Sequence, residues 1–166
     1  MVALLHAIVL ERARHAPLGW SHAYEFYDTD LEAAYAIVDT CMASAAQSRR
    51  NLAPEVIPWS ALRALLAQNV YGSRMDSDAD RRMLDALLAH LFIPAAFERD
   101  FVIAPNDVQP LIAPEGLHRE QLCAWASSLP EPQPVHWVLL APEAERATAV
   151  QNATRILRHL QILRQL

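Results

Sequence analysis

The chain has 166 residues, of which 53% are hydrophobic and 20% charged, and its formal net charge is −5. This length suits one domain with a single core. All 14 basic residues are arginine, so the absence of lysine excludes a P-loop and Schiff-base catalysis. The acidic balance and the scattered arginines argue against a nucleic-acid-binding surface.

The composition also indicates the fold class. Only three glycines are present, and long stretches are rich in alanine and leucine. Because these residues have high helix propensity, we predict an all-α fold built as a helical bundle.

The first predicted helix, Val2 to His15, is apolar on nearly all sides. It is too short to span a membrane, which takes about 20 residues, and it lacks the basic region and cleavage site of a signal peptide. We therefore expect a soluble, intracellular chain. A helix that is apolar on all sides is usually buried in the core of a larger protein, so we also expect the natural chain to begin before Met1.

An aromatic-rich connection follows Pro17 and extends from Leu18 to Asp28. Aromatic side chains at this density usually fix a loop to a core or to a neighbouring domain. The next predicted helix runs from Leu31 to about Ser48, with Thr29 or Asp30 as its N-cap.

Two further helices are predicted in the middle of the chain. One runs from Trp59 to Tyr71 and ends at Gly72, interpreted as a C-cap. The other begins at Ser77 or Asp78 and runs to about Phe92. Leucines at helical spacing give both an apolar face.

The last third has a different pattern. Prolines interrupt residues 93–116, where two short apolar runs predict a β-hairpin near 101–113. A short helix is expected from Leu117 to Leu129, and a final one from Pro142 to Leu166. The final helix ends without a cap, so both ends of the chain are interpreted as cut.

No known catalytic or metal-binding motif is present. Asp76, Asp78 and Asp80 lack the spacing of a calcium loop and are interpreted as charges at a helix N-terminus. Cys41 and Cys123 are expected to be buried, inert thiols. His6 is expected to be a core residue, whereas the other histidines, including His22, have no matching partners in the sequence.

Four segments carry a family resemblance: PLGW at 17–20, YEF at 24–26, IPWSALRALLAQNVYGSR at 57–74 and DRRML at 80–84. In this order and spacing they resemble the cytoplasmic dynein heavy chain, in the C-terminal lid of its sixth AAA+ module. The resemblance implies a bundle of five to seven helices. It also implies that residues 1–16 form a terminal helix continuing from the large AAA+ subdomain and that residues 17–166 form the lid.

The resemblance also directs attention to Arg82. Many AAA+ lid helices begin with a pattern close to G-D-x-R, whose arginine, called sensor 2, contacts nucleotide phosphates. Arg82 is the better match to it in Asp80-Arg81-Arg82. The sixth dynein module is understood to have lost nucleotide binding, so we favour a structural role, with Arg82 paired to Asp78 or to an interdomain carboxylate. No cofactor and no metal are expected.

The remaining residues of interest are interpreted as packing or interdomain contacts. A ligand cage formed by the two tryptophans at 20 and 59 is the less favoured alternative. The expected packing or interface residues are Trp20, Tyr24, Phe26, Trp59, Leu62, Tyr71 and Arg74.

The implied function is a non-catalytic lid that relays rigid-body motion between AAA+ modules in ATP-driven, minus-end-directed movement on microtubules. Its direct partners would be neighbouring AAA+ subdomains and the C-terminal region of the same heavy chain. Dynein complex subunits and microtubules would be reached only through the parent chain, in the cytoplasm at the cytoskeleton. Whether the parent acts in cytoplasmic transport or in a flagellum is left open.

Two alternatives are a stand-alone helical adaptor and a nucleotide-responsive lid in which Arg82 acts in trans. For an excised lid we expect exposed apolar patches. These are predicted around Leu4, Ile8, Leu157 and Leu160 and on the loop that carries Trp20 and Tyr24.

Overall fold

The computed structural model describes residues 1–46, 52–106, 109–114, 118–131 and 133–165. Within these ranges the predicted all-α architecture is confirmed, with six α-helices and one two-stranded antiparallel sheet. The helices are α1 Val2–Arg14, α2 Asp28–Ala46, α3 Trp59–Leu65, α4 Asp78–Leu91, α5 Arg119–Ser128 and α6 Glu143–Gln165. The strands are β1 Val102–Ala104 and β2 Leu111–Ile112.

Helix α1 lies within the core. Leu5 and Val9 are completely buried, and Val2 and Ile8 are nearly so. The expected apolar patch around Leu4 and Ile8 is therefore wrong, because Leu4 is half-buried and Ile8 packs inside. The apolar character of this helix is explained by burial within this domain.

Helix α2 begins three residues earlier than predicted, at Asp28 rather than Leu31. Both expected N-caps, Thr29 and Asp30, lie inside the first turn. The Oδ2 of Asp30 accepts a hydrogen bond of 2.8 Å from the backbone N–H of Tyr27. A carboxylate there satisfies a free N–H at the helix start, so the helix can begin before the capping side chain.

The segment after α3 differs from the predicted continuous helix. Leu66–Tyr71 forms a wide π-helical turn, and Gly72–Arg74 forms a 3₁₀ turn. Gly72 is not a left-handed C-cap, since its φ is −73°. A glycine is needed because a Cβ at this position would overlap the carbonyl oxygen of Ala67.

Helix α4 matches its prediction closely. Ser77 is the N-cap, and its Oγ accepts from the backbone N–H of Asp80 at 3.4 Å. Leu84, Leu87, Leu88 and Leu91 are all about 1% exposed and form the inner face of the helix. This helix therefore supplies the centre of the core.

The predicted hairpin is confirmed. Strands β1 and β2 pair with Val102 opposite Ile112 and Ala104 opposite Leu111. The hairpin packs near the 3₁₀ turn Val135–Val138, where the indole Nε1 of Trp137 donates to the carbonyl of Gln109 at 3.0 Å. The side chain of Arg12 joins this region to α1 by donating to the carbonyl oxygens of Val138 at 2.8 Å and Leu139 at 3.0 Å.

Helix α6 leaves the core after its first residues. Ala144 is buried, whereas Leu157 and Leu160 are 61% and 57% exposed. The predicted exposed patch around these two leucines is confirmed. None of the described helices is long and apolar enough to cross a membrane.

Candidate functional site: the aromatic connector and the start of α4

The aromatic connector, defined here as residues 18–27, is fixed to the end of α1. Trp20 is 1% exposed, and its Nε1 donates to the carbonyl oxygen of Val9 at 3.0 Å. The guanidinium of Arg12 lies 4.9 Å from the centre of the indole ring. Gly19 permits this approach, since a Cβ there would overlap the carbonyl of Arg12. Trp20 is therefore a core anchor and does not contribute to the exposed patch predicted on its loop, where Leu18 and Tyr27 are 51% and 49% exposed.

Asp80 connects the aromatic connector to α4. Its Oδ1 and Oδ2 accept from the backbone N–H of Ser21 at 3.0 and 3.1 Å, and Oδ2 also accepts from the Ser21 hydroxyl at 2.5 Å. The Tyr24 hydroxyl donates to the same oxygen at 2.9 Å. Burial raises the pKa of Asp80, but the hydrogen bonds from Ser21 and Tyr24 outweigh this effect and lower the pKa overall.

The interpretation of Asp80 as a helix-terminus charge missed this role. Its partners are 56 and 59 residues away in sequence. The alternation of Asp76, Asp78 and Asp80 does not show which carboxylate points inward. Asp80 is buried, whereas Asp76 and Asp78 are exposed.

Asp76 forms a second contact between the connector and the start of α4. Its Oδ1 lies 2.9 Å from Nδ1 of His22 and accepts from the Tyr24 hydroxyl at 2.8 Å. The expectation that His22 has no partner is thus wrong. The hydrogen bond and the negative charge of Asp76 raise the pKa of His22. The hydrogen bonds from His22 and Tyr24 lower the pKa of Asp76 to about 2.

Tyr24 lies between the two carboxylates. Desolvation, followed by its hydrogen bonds to Asp76 and Asp80, raises the pKa of the Tyr24 hydroxyl to about 12. The phenol therefore stays protonated at neutral pH, and its single proton is shared between Asp76 Oδ1 and Asp80 Oδ2. Tyr24 acts as a neutral donor that allows two carboxylates to share one side chain.

The His22–Asp76 pair should make the stability of the chain depend on pH. A raised His22 pKa means stabilisation that is present below 6.5, the unperturbed value, and lost as pH rises through the raised pKa. A lowered Asp76 pKa means stabilisation that is present above 3.8 and lost as pH falls through about 2. We expect His22→Gln to destabilise the chain most between these two unperturbed values, in urea unfolding measured across pH.

The control is His159→Gln, which changes an exposed histidine without a carboxylate partner among the described residues. It should leave the pH profile of the free energy of unfolding unchanged. A His22→Gln profile parallel to that of the wild type would contradict the assigned pair.

A third contact, between Arg74 and Asp30, joins the start of α2 to the turn after α3. Nε and Nη2 of Arg74 donate to Oδ1 of Asp30 at 3.0 and 2.7 Å. Asp30 is buried, and the Arg74 guanidinium lies 5.3 Å from the centre of the Tyr27 ring. Arg74 was predicted as a packing or interface residue, and here it holds the end of the connector.

The rings of the connector continue into the core. The ring of Tyr24 contacts that of Phe26, and Phe26 contacts Tyr71, with centroids 6.3 and 6.2 Å apart. Tyr71 is fully buried, and its hydroxyl lies 3.2 Å from Nδ1 of His6. The structure therefore brings the predicted residues at 20, 24, 26, 71 and 74 to the connector and its surroundings.

Trp59 lies apart from this group. It is half-buried, its ring centre is 6.0 Å from that of Phe97, and its Nε1 donates to the carbonyl of Pro54 at 2.7 Å. Leu62, one turn further along, is 1% exposed and belongs to the core. No described ring contact joins Trp59 to Trp20, so the rings do not form the two-tryptophan cage considered above.

Arg82 is exposed on α4, and no hydrogen bond joins its side chain to the described residues. The expected pairing with Asp78 is made by Arg81 instead, with Nη1 3.3 Å from Oδ1. Arg81 also donates to the Met75 carbonyl at 2.5 Å. A sensor role for Arg82 therefore stays a prediction that needs a nucleotide on another subdomain.

The remaining predicted sites are simple to place. In the part of the chain that the structure describes, no group of three histidine, cysteine or acidic residues could hold a metal ion. Cys41 is half-buried and Cys123 is exposed. The prediction of two buried thiols is therefore wrong, because the α5 surface that carries Cys123 faces solvent.

Comparison with known proteins agrees with the resemblance read from the sequence. The family model described as the dynein heavy chain AAA lid domain matches residues 1–144. A cytoplasmic dynein heavy chain of Drosophila melanogaster is 36% identical over 172 aligned residues, and one of Caenorhabditis elegans is 38% identical over 162. These alignments cover 100% and 96% of this chain.

A flagellar relative matches over a shorter length. The dynein-1-alpha heavy chain of the flagellar inner arm I1 complex of Chlamydomonas reinhardtii is 34% identical over 88 residues, or 53% of this chain. The chain spans only 4% of the length of its Drosophila and Caenorhabditis relatives. On the family match and these identities, the chain belongs to the AAA lid domain family of dynein heavy chains.

Proposed function

We propose that this chain is the non-catalytic lid of the sixth AAA+ module of a dynein heavy chain and relays rigid-body motion between modules of the motor ring. The observation that carries the proposal is the dynein heavy chain lid match over residues 1–144. The absence of lysine supports the non-catalytic part, because a P-loop cannot be formed by this chain.

The two carboxylate clamps support a mechanical role. Asp80 holds the connector to α4, and Asp30 holds the start of α2 to the turn that carries Arg74. Hydrogen bonds of this kind are directional and cost free energy when broken at a buried site. Elements tied in this way move as one block, as the relay of a rigid-body rotation requires.

The partners follow from the position in such a ring. Neighbouring AAA+ subdomains and the C-terminal region of the same heavy chain would contact the lid. Residues 1–16, which contain α1, would continue from the large AAA+ subdomain. Dynein complex subunits and microtubules would be reached through the parent chain. Relatives are named cytoplasmic dynein heavy chains, so we infer a cytoplasmic, cytoskeleton-associated parent in ATP-driven, minus-end-directed movement.

The isolated chain should not bind nucleotide, because without lysine it cannot form a P-loop and because Arg82 makes no hydrogen bond to the described residues. Isothermal titration calorimetry with ATP and with ADP should give no heat of specific binding. A dissociation constant in the micromolar range for either nucleotide, reduced by Arg82→Ala, would instead support the nucleotide-responsive lid.

The alternative is a stand-alone helical adaptor. It is supported by the exposed apolar residues of α6, because an apolar helix face can accept a partner helix. The full reading frame of the gene separates the two functions. P-loops encoded upstream in the same frame would support the lid, and a short frame would support the adaptor.

A further inference from the structure

Helix α6 is covered by the rest of the described chain only near its start. Ala144 is 2% exposed, and Ala147 and Thr148 are half-buried. Every residue from 149 to 164 is exposed. The direction of this 23-residue helix therefore depends on what holds its root, defined here as residues 135–142.

Two parts of the fold hold the root by hydrogen bonds. Beside the hairpin, the indole Nε1 of Trp137 donates to the carbonyl oxygen of Gln109 at 3.0 Å. From α1, Nη1 of Arg12 donates to the carbonyl oxygens of Val138 at 2.8 Å and Leu139 at 3.0 Å. Among the described residues, the hydrogen bonds of Arg12 are the ones that join the root to α1.

Leu139 has a backbone conformation that leucine rarely adopts. Its φ is 56° and its ψ is 41°, in the left-handed region, where Cβ lies too close to the following carbonyl oxygen. In a helical conformation of either hand, the carbonyls on the two sides of a residue point to the same side, whereas in an extended conformation they point to opposite sides. The left-handed conformation therefore lets the carbonyls of Val138 and Leu139 share one nitrogen of Arg12.

Arg12 is a buried cation held by uncharged acceptors. Its side chain is part of a residue that is 3% exposed, and its guanidinium lies 4.9 Å from the centre of the Trp20 ring. Burial lowers the pKa of Arg12, and the negative charge of Asp80 acts in the opposite direction. The carbonyls of Val138 and Leu139 are its hydrogen-bond acceptors within the described chain. A movement of the root would leave buried donors of a charged group unpaired, which is costly.

We propose that Arg12 is a positioning residue that fixes the direction of α6 relative to α1 by holding Leu139 in the left-handed region. Without these hydrogen bonds Leu139 can leave that region, and the chain that follows turns in another direction. Gln161 lies about 27 Å along α6 from its first residue, so a change of about 20° in helix direction moves it by about 9 Å. One consequence rests on the proposed function: motion of residues 1–16 would reach α6 through Arg12.

The test is the distance between α1 and α6 in the 166-residue chain, measured by double electron–electron resonance. Spin labels are attached at Ala7→Cys and Gln161→Cys, which are both exposed positions, in a Cys41→Ala and Cys123→Ala background. We expect one narrow distance distribution. Arg12→Met has no donor and should broaden it at least about twofold, because the freed root allows several helix directions. Arg12→Lys should keep it narrow, since an ammonium group can donate to both carbonyls.

Leu62→Ala is the control for a general loss of stability. Leu62 is 1% exposed on α3, which no hydrogen bond joins to the root in the described part of the chain. Its truncation weakens the core but should leave the distance distribution unchanged. A broad distribution in the wild type, or equal distributions for Arg12→Met and Leu62→Ala, would overturn the proposal. Neither result bears on the lid assignment, which the full reading frame tests.

A second pair of variants leaves Arg12 in place. Leu139 is 37% exposed, so a substitution there removes little packing. Leu139→Val should broaden the distribution as Arg12→Met does, because a β-branched residue is strongly disfavoured in the left-handed region. Leu139→Asn should keep it narrow, since asparagine adopts this region more readily. Equal distributions for these two variants would overturn the role given to the Leu139 backbone.

Discussion

Replacing Trp20 by alanine should destabilise the chain by about 3–5 kcal/mol, since it removes a large buried side chain from a close-packed core. The indole is 1% exposed, donates to the Val9 carbonyl and lies under the Arg12 guanidinium. A loss of this size is a large fraction of the stability of an ordinary domain. Urea unfolding followed by circular dichroism measures it.

The matched control is Trp59→Ala, the same change at a half-buried site. Its cost should be smaller than that of Trp20→Ala, because part of the Trp59 ring already faces solvent. If Trp59→Ala proves more destabilising, then the edge of the core near Phe97 is the critical packing site and the connector is not.

Replacing Asp80 by alanine should destabilise the chain by about 1–3 kcal/mol, because it removes the acceptor of the hydrogen bonds from the Ser21 backbone N–H and hydroxyl. The Tyr24 hydroxyl would keep only its contact with Asp76. The effect should also be local. We expect the backbone amide of Ser21 to exchange with solvent deuterium faster in the variant, since that N–H loses its acceptor.

Asp78→Ala is the control for Asp80→Ala, as it removes an exposed carboxylate from the same helix turn. It should cost only a few tenths of a kcal/mol, as is usual for surface ion pairs. Equal losses for the two variants would mean that the carboxylates act only through the charge at the helix N-terminus.

The parts of the fold that sequence predicts best are those set by local pattern. Helix α4 has an N-cap serine followed by leucines at helical spacing, so its start, its end and its buried face can all be predicted from the sequence. The hairpin is readable because prolines isolate two short apolar runs. The buried position of Leu62 follows from the same helical spacing.

The contacts of the candidate site are not local and could not be read in this way. Asp80 and Ser21 are 59 residues apart, and Arg74 and Asp30 are 44 apart. The sequence shows several aspartates near arginines, but not which one the fold buries. The π-helical turn before Gly72 is missed for a related reason, because close packing against Ala67 rather than a left-handed backbone selects the glycine.

Helix α6 shows that a local pattern can predict a helix without showing what its apolar face contacts. Its apolar spacing predicts a buried face equally well for a core helix and for an interface helix, because both show the same period. The period alone therefore predicts the stripe but not its exposure. The exposure of Leu157 and Leu160 was predicted from the resemblance to an excised lid, and the structure confirms it.

The proposal that the lid works mechanically is tested most directly in a whole heavy chain that contains this segment. The measurement is the microtubule gliding velocity divided by the ATPase rate. We expect Asp80→Asn, which loosens the clamp, to lower this ratio, and Arg82→Ala to leave both the ratio and the ATPase rate unchanged. A normal ratio with Asp80→Asn, together with loss of ATPase activity with Arg82→Ala, would contradict the mechanical account and favour a nucleotide sensor.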